Sequence, residues 1–500
     1  MDILSNLALG FQEILTLETL SYCLFGVTVG MLIGVLPGIG AMAAISMLLP
    51  ITFYLEPGQA LIMLAGIYYG AQYGNSIASI LLNVPGTPSA AVTALDGYPL
   101  SKLGKAGPAI FITTAASFAG SCFAIVCLAA FSPIIAGVAL AFGSAEYFAL
   151  MVFGLVTAST VAPGSQIKGI AMVVAGLILG LVGTDITSGT FRFTFGLIEL
   201  TDGLTLVAVA MGVFGATEVI NNLSRKMHDR GTARRVRIRE LIPTGADMKQ
   251  AVKPMMRAAP VGTFLGVLPG AGATIAAFVA YGLETRVAKD RRRFGKGAIE
   301  GIAAPETANN AAAQGSFIPT LSLGIPGDAV MALMLGALLI HGVQPGPQLI
   351  GDHPEIFWGL LASFWIGNLM LLIMNIPLIG VWVRILSIPY KYLYPCVLML
   401  ICVGVYSVHN SGFDLFVVVA FAAIGYAMSV AKLSPAPMLL GIVLGVMMED
   451  NLKRAMLLSR GDPLVFLERP ICAVLLGLSL LMLIWPLGMR LVRLFHRSRA

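Results

Sequence analysis

The first basic residue of this chain is Lys102, and no Lys or Arg occurs from Gly297 to Val383. A water-soluble domain carries roughly 25% charged residues spread over its surface. Here 57% of the 500 residues are hydrophobic and 11% are charged, and the mean hydropathy is +0.88. The charges are also clustered, which leaves uncharged apolar runs long enough to cross a bilayer, at about 18 residues or more. The pattern predicts an all-α polytopic membrane protein with about 12 transmembrane segments. The 56 glycines and 27 prolines then read as sites of close helix approach and deliberate breaks.

Sixteen of the 31 Lys and Arg residues lie between Arg225 and Lys296, in two groups, Arg225 to Arg257 and Arg286 to Lys296. Basic loops stay in the cytoplasm. Ala258 to Leu283 between them is uncharged and has Leu268-Pro269-Gly270 near its middle. It reads either as a re-entrant helical hairpin or as a single Pro-broken span. Arg490, Arg493, Arg497 and Arg499 place the C-terminus in the cytoplasm by the same rule, which suits a multi-pass protein of a bacterial inner membrane. The +6 net charge is a topology signal and implies no nucleic acid. The chain lacks a positive n-region, so no cleaved signal is expected.

Self-similarity is the next constraint. GMLIGVLPGIGAMAAIS at Gly30–Ser46 matches GTFLGVLPGAGATIAAF at Gly262–Phe278 at nine of seventeen positions. A second anchor pairs Gly74, Ser76, Pro85 and Gly86 with Gly315, Phe317, Pro326 and Gly327. A third pairs GLILGLVGTD, ending at Asp185, with GIVLGVMMED, ending at Asp450, so the offsets run 232, 241 and 265. The first hairpin is flanked by Glu18 and Glu56 where its counterpart is flanked by basic loops. After the second anchor the signs swap, with Lys102 and Lys105 against Asp352 and Glu355. The expectation is two inverted repeats, 1–222 with a hairpin near 26–50 and 258–455 with a hairpin near 258–285. A basic cytoplasmic linker at 223–257 joins them, and 456–500 forms a C-terminal helix with a basic cytoplasmic tail. Inverted repeats with broken helices mark secondary transporters that bind near the midplane, and an inverted-repeat channel shares the architecture.

Non-helical backbone at membrane depth is tolerated only where it is buried in protein or lines a wet cavity. Leu36-Pro37-Gly38 and Leu268-Pro269-Gly270 are expected at hairpin tips, and Val84-Pro85-Gly86-Thr87-Pro88 and Ile325-Pro326-Gly327 at unwound breaks. Each helix restart offers free amide N–H groups and a positive dipole end, which suit a carboxylate. The candidate substrate-binding residues are Pro37, Gly38, Gly40, Asn83, Gly86, Thr87, Ser89, Gly270, Gly272, Thr274, Gly327 and Asp328. The plainer reading of the same residues is kinks and packing. Glu306 and Asp328 are ionisable groups in weakly polar stretches, costly enough to be functional candidates. Glu306, Asn309 and Asn310, or the symmetry-related Tyr68–Ser76 stretch with Asn75 and Ser76, are candidates for Na⁺ or a proton. Helix capping is the competing reading of both Glu306 and Asp328.

Enzyme readings find no support: there is no HExxH, GxSxG or GxxxxGK[ST]. No cofactor is expected beyond Na⁺ or H⁺ as coupling ion. The six cysteines are scattered without ligand spacing and read as core filler.

The ordered motifs GVLPGIG, NVPGTPSAAVTALDGYPL, GVLPGAGATIAAFVAYGLE, FGKGAIEGIAAPETANNAAAQGSFIP, LGIPGDAVMALMLGALLIHGVQPGP and PAPMLLGIVLG resemble the large membrane subunit of the tripartite tricarboxylate transporters, the TctA family. The resemblance implies a cation-coupled secondary importer of tricarboxylates, dicarboxylates or aromatic carboxylates. It also implies as partners a small membrane subunit of about four helices, a periplasmic solute-binding protein, and the lipid bilayer that holds the two membrane subunits. A passive inverted-repeat anion channel is the alternative.

Overall fold

The computed structural model describes residues 3–36, 40–139, 142–161, 165–185, 188–224, 241–268, 272–346, 348–385 and 390–497. They form helices almost throughout. α1 (Ile3–Ile14), α2 (Leu17–Val35) and α3 (Ala41–Thr52) lead into α4 (Pro57–Leu82). After a break come α5 (Ala90–Lys102), α6 (Ala106–Ala139), α7 (Ser144–Val161) and α8 (Gln166–Gly180). β1 (Gly183–Thr184) pairs antiparallel with β2 (Phe191–Arg192), Gly183 opposite Arg192. α9 (Leu206–Ala210) then passes through a π turn at Met211–Ala216 into α10 (Thr217–Ser224).

The remainder begins with α11 (Gly245–Val267), α12 (Gly272–Val287), α13 (Glu300–Gly315) and α14 (Phe317–Leu323). A second break leads to α15 (Ala329–Ile340), α16 (Leu349–Asp352), α17 (Pro354–Asn375) and α18 (Ile379–Ile385). The last helices are α19 (Tyr390–His409), α20 (Gly412–Val430), α21 (Ala436–Leu458), α22 (Val465–Glu468) and α23 (Pro470–Arg497).

Among the described residues four helices are long and apolar enough to cross a membrane: α2, the Ala106–Phe131 part of α6, α17 and α20. Other apolar helices are shorter, such as Ala41–Thr52 and Ala329–Ile340, because they start or stop at the Pro-Gly breaks. α4 has the length, 26 residues, but it carries Gln59, Gln72, Asn75, Ser76 and Ser79. The outer surface is apolar, with Phe264 66% and Phe416 75% exposed. Such surfaces suit hydrocarbon and would aggregate in water.

The polar helices go to the centre. α4 is buried from Gln59 to Leu81 and α13 from Gly301 to Gly315. Glycines let their neighbours approach backbone to backbone, the packing that replaces the hydrophobic effect between helices in lipid. A Cβ built on Gly30 would lie 2.4 Å from the Ile67 carbonyl oxygen, and one on Gly262 would lie 2.4 Å from that of Ala308. The corresponding figures are 2.3 Å for Gly34 on Ala71 and 2.3 Å for Gly266 on Ala312. These pairs stand at the sequence offsets of 232 and 241, so α2 packs on α4 as α11 packs on α13.

Both breaks are folded alike. α4 ends at Asn83, with φ 56°, and α14 ends at its counterpart Gly324, with φ 70°. This left-handed cap suits Asn and Gly. The chain then doubles back until Gly86 reaches the Gly34 carbonyl, and Gly327 the Gly266 carbonyl, each 3.0 Å from a would-be Cβ. From there α5 runs in the same direction as α4, with Thr87 beside Asn75 and Gly97 against Ile80.

Two sequence readings are sharpened or corrected. Arg257 Nε and Nη2 donate to Glu284 Oε1 and Oε2 at 2.8 and 2.7 Å. A single broken span would carry these residues to opposite ends, so α11 and α12 fold back on each other as two legs of a hairpin, and residues 269–271 between them lie outside the described residues. The third anchor does not hold as an inverted pair. Gly176 meets Met438 and Gly180 meets Ile442, both numbers rising together, so α8 and α21 lie side by side and run parallel. Their shared glycine spacing follows from packing against each other.

Candidate functional site

The bundle centre is where α4 and α13 bring their polar side chains together with the helices that follow each break. α5 runs antiparallel along α13: Thr93 meets Glu306, Asp96 meets Ala298, and Leu100 lies against Gly297.

Glu306 is fully buried. Thr93 Oγ1 donates to its Oε1 at 2.5 Å, while its Oε2, with the Asn309 and Ser117 side chains beside the carboxyl, has no partner in good hydrogen-bond geometry among the described residues. The capping reading of Glu306 fails, because α13 begins at Glu300 and Pro305-Glu306 is already in its second turn. The end of α13 is served instead by Asp96 of α5, whose Oδ1 accepts from the amides of Gly297 and Ala298 at 2.9 and 2.8 Å. Asp96 Oδ2 accepts from the Tyr281 hydroxyl at 3.0 Å.

Beside Glu306, Asn310 Nδ2 donates to Ser117 Oγ of α6 at 2.8 Å and to the Glu306 carbonyl at 3.0 Å, leaving Asn310 Oδ1 without a partner. Both amide atoms of Asn309 and of Gln314 are buried and unpartnered among the described residues. Burying an unmatched amide costs about 1–3 kcal/mol, and an interhelical hydrogen bond in a membrane returns about 0.6 kcal/mol. One Thr93 bond therefore does not offset this cluster. One carboxylate with three amide oxygens is a donor set that suits a hard monovalent cation or, at the carboxylate alone, a proton.

The first break assembles a second polar group. Asn75 Nδ2 donates to Thr87 Oγ1 at 2.7 Å and to Gln72 Oε1 at 3.2 Å, and Thr87 Oγ1 and Ser89 Oγ lie 2.9 Å apart. Asn75 Oδ1 is buried without a partner. Gly40 opens α3 with no side-chain cap on the first-turn amides. Ser76 is satisfied by the Tyr73 carbonyl at 3.0 Å, and Asn83 is an exposed terminator of α4. Pro37, Gly38 and Gly270 lie outside the described residues.

The second break is arranged differently. Asp328 caps α15, its Oδ1 accepting from the Met331 amide at 2.9 Å, while its Oδ2 accepts from the buried Tyr68 hydroxyl at 2.5 Å. The cap reading holds, and the carboxylate also reaches across to α4. Gly272, at φ 57°, opens α12 against it, a would-be Cβ 3.5 Å from Asp328 Cβ. Thr274 follows, half-buried on α12.

Sequence reasoning passed over Asp96, Thr93 and Gln314. Asp96 had a signal: it is the sole acidic or basic residue between Glu56 and Lys102, and the cost of intramembrane charge applies to it as to Glu306. Thr93 and Gln314 had none, because their roles come from one helix lying against another.

Residues 20–440 match the tripartite tricarboxylate transporter TctA family. An uncharacterized 52.8 kDa protein in the TAR-I ttuC′ 3′ region of Agrobacterium vitis is 48% identical over 480 residues, 96% of this chain and 95% of the relative. An uncharacterized protein in the TAR-II ttuC′ 3′ region of the same organism is 50% identical over 226 residues, 45% of this chain and 93% of the relative. No solved structure matches the chain.

Proposed function

Because the chain belongs to the tripartite tricarboxylate transporter TctA family, we propose that it is the transmembrane subunit of a cation-coupled importer of carboxylates in a bacterial inner membrane. Members of the family are subunits of transporters that include other subunits. In this reading those partners are a small membrane protein and a periplasmic binding protein that delivers the substrate, and the C-terminus is cytoplasmic.

The observation that carries the coupling is the unpartnered set on α13: Glu306 Oε2, Asn309, Asn310 Oδ1 and Gln314. A proton at Glu306 removes a buried negative charge, and a Na⁺ ion there also takes the amide oxygens that the protein leaves unmatched. The substrate carboxylate sits at the first break, against the Thr87 and Ser89 hydroxyls and the α3 amides at Gly40. Two inverted copies supply the alternating motion. That reading is supported by the matched glycine contacts, the matched break geometry, and the antiparallel course of α5 along α13.

The test is uptake of labelled citrate, dicarboxylates and aromatic carboxylates into proteoliposomes that hold this chain with both partners, under imposed Na⁺ or H⁺ gradients. Accumulation driven by one gradient is expected. Equilibration without accumulation under every gradient would overturn the coupling and favour a passive channel.

A further inference from the structure

The two breaks share a backbone but differ in charge. At the offset of 241, Thr87 of the first break corresponds to Asp328 of the second, and at 232 Gly40 corresponds to Gly272. In the second copy a carboxylate lies between two helix starts, α15, whose Met331 amide it accepts from, and α12, whose Gly272 stands against it. The buried Tyr68 hydroxyl completes the donors at 2.5 Å. Amides at helix N-termini with one neutral hydroxyl are a carboxylate-binding arrangement.

In the first copy the same place holds the short neutral side chain of Thr87. A Cβ on Gly40 has no described atom within 4 Å, and of the Thr87 and Ser89 hydroxyls, 2.9 Å apart, only one hydrogen is used between them, so the other can donate to a carboxylate. One break is therefore closed by its own acid, and the other retains unmet hydrogen-bonding capacity.

We propose that Asp328 is a tethered surrogate for a substrate carboxylate: it fills the second-copy carboxylate site, so that substrate presents a carboxylate to the first-copy break alone. Removing the side chain exposes a site for a free carboxylate with Tyr68 as its neutral donor. The inference rests on the substrate placement proposed above. Its test involves no transport, so either can fail without the other.

The full chain, purified in detergent, is compared as wild type, Asp328→Gly, Asp328→Asn and Asp328→Gly with Tyr68→Phe, in sodium formate and in sodium chloride of equal ionic strength. Asp328→Gly should melt below wild type in chloride and regain half or more of that loss in formate. Wild type and Asp328→Asn should melt alike in the two salts, since the side chain still fills the place. Adding Tyr68→Phe should abolish the formate effect. If Asp328→Gly is recovered as monodisperse protein in formate only, that recovery is the positive result. A plain helix cap predicts that Asn replaces Asp and that formate does nothing for the glycine variant. That outcome overturns the proposal, as does rescue that persists without the Tyr68 hydroxyl, or recovery of the glycine variant in neither salt while Asp328→Asn folds.

Discussion

The Tyr68 hydroxyl donates to Asp328 Oδ2 at 2.5 Å, which ties the middle of α4 to the start of α15. Tyr68→Phe keeps the ring and its packing and removes the donor. A buried carboxylate that loses a hydrogen bond is destabilised by about 1–3 kcal/mol. Thermal unfolding in detergent should show a loss of that size, and a melting temperature equal to wild type would mean the bond is not formed in solution.

Glu306→Gln keeps an acceptor for Thr93 and deletes the charge. Protein yield and melting temperature should stay near wild type. Gradient-driven accumulation should fall at least about tenfold, the equivalent of about 1.4 kcal/mol in cation binding. Undiminished accumulation in the reconstituted system would remove Glu306 from the coupling site.

Asp96 and Gly301 form a testable pair. Asp96 accepts two backbone amides and the Tyr281 hydroxyl, and a Cβ on Gly301 would lie 2.1 Å from Asp96 Oδ2. Asp96→Ala orphans three donors and should cost about 3 kcal/mol or more. Gly301→Ala pushes the carboxylate off the same donors, so the double variant should be clearly less destabilised than the sum of the singles. Additive losses in a double-mutant cycle would separate the two residues.

Gly34→Ala and Gly266→Ala test the matched packing. Each new methyl meets a carbonyl oxygen at 2.3 Å, of Ala71 and Ala312 respectively, and overpacking of this kind costs about 1–3 kcal/mol. The two losses of melting temperature should agree closely. A harmless substitution in one copy beside a severe one in the other would show that the two interfaces are not equivalent in solution.

The breaks were legible in the sequence because Pro-Gly acts locally: a missing N–H and a missing Cβ decide the backbone wherever they occur. The glycine offsets were legible for the same reason. The pairings that build the site were not. Thr93 with Glu306 and Asp96 with the amides before α13 arise from α5 crossing to the other half of the chain, and no periodicity encodes such a crossing. The third anchor misled because Gly176, Gly180, Gly441 and Gly445 share a spacing that two touching helices need from each other. The resemblance is one between packing partners and not between copies. The stretch between the basic loops left a hairpin and a single broken span both open, and only the Arg257–Glu284 pair brings its two legs together.

The backbone geometry of the two breaks repeats, while the charge does not. Glu306 corresponds to Ala65, Asp328 to Thr87 and Asp96 to Ala337 at the offset of 241. Two identical copies exchanging roles would pass between mirror conformations of equal free energy, with ligand alone to choose between them. In the proposed transport cycle three unmatched carboxylates would remove that degeneracy and give the unloaded protein a preferred facing, since Glu306 and Asp96 stand at the contact of α5 with α13 while Asp328 stands at the contact of α15 with α4.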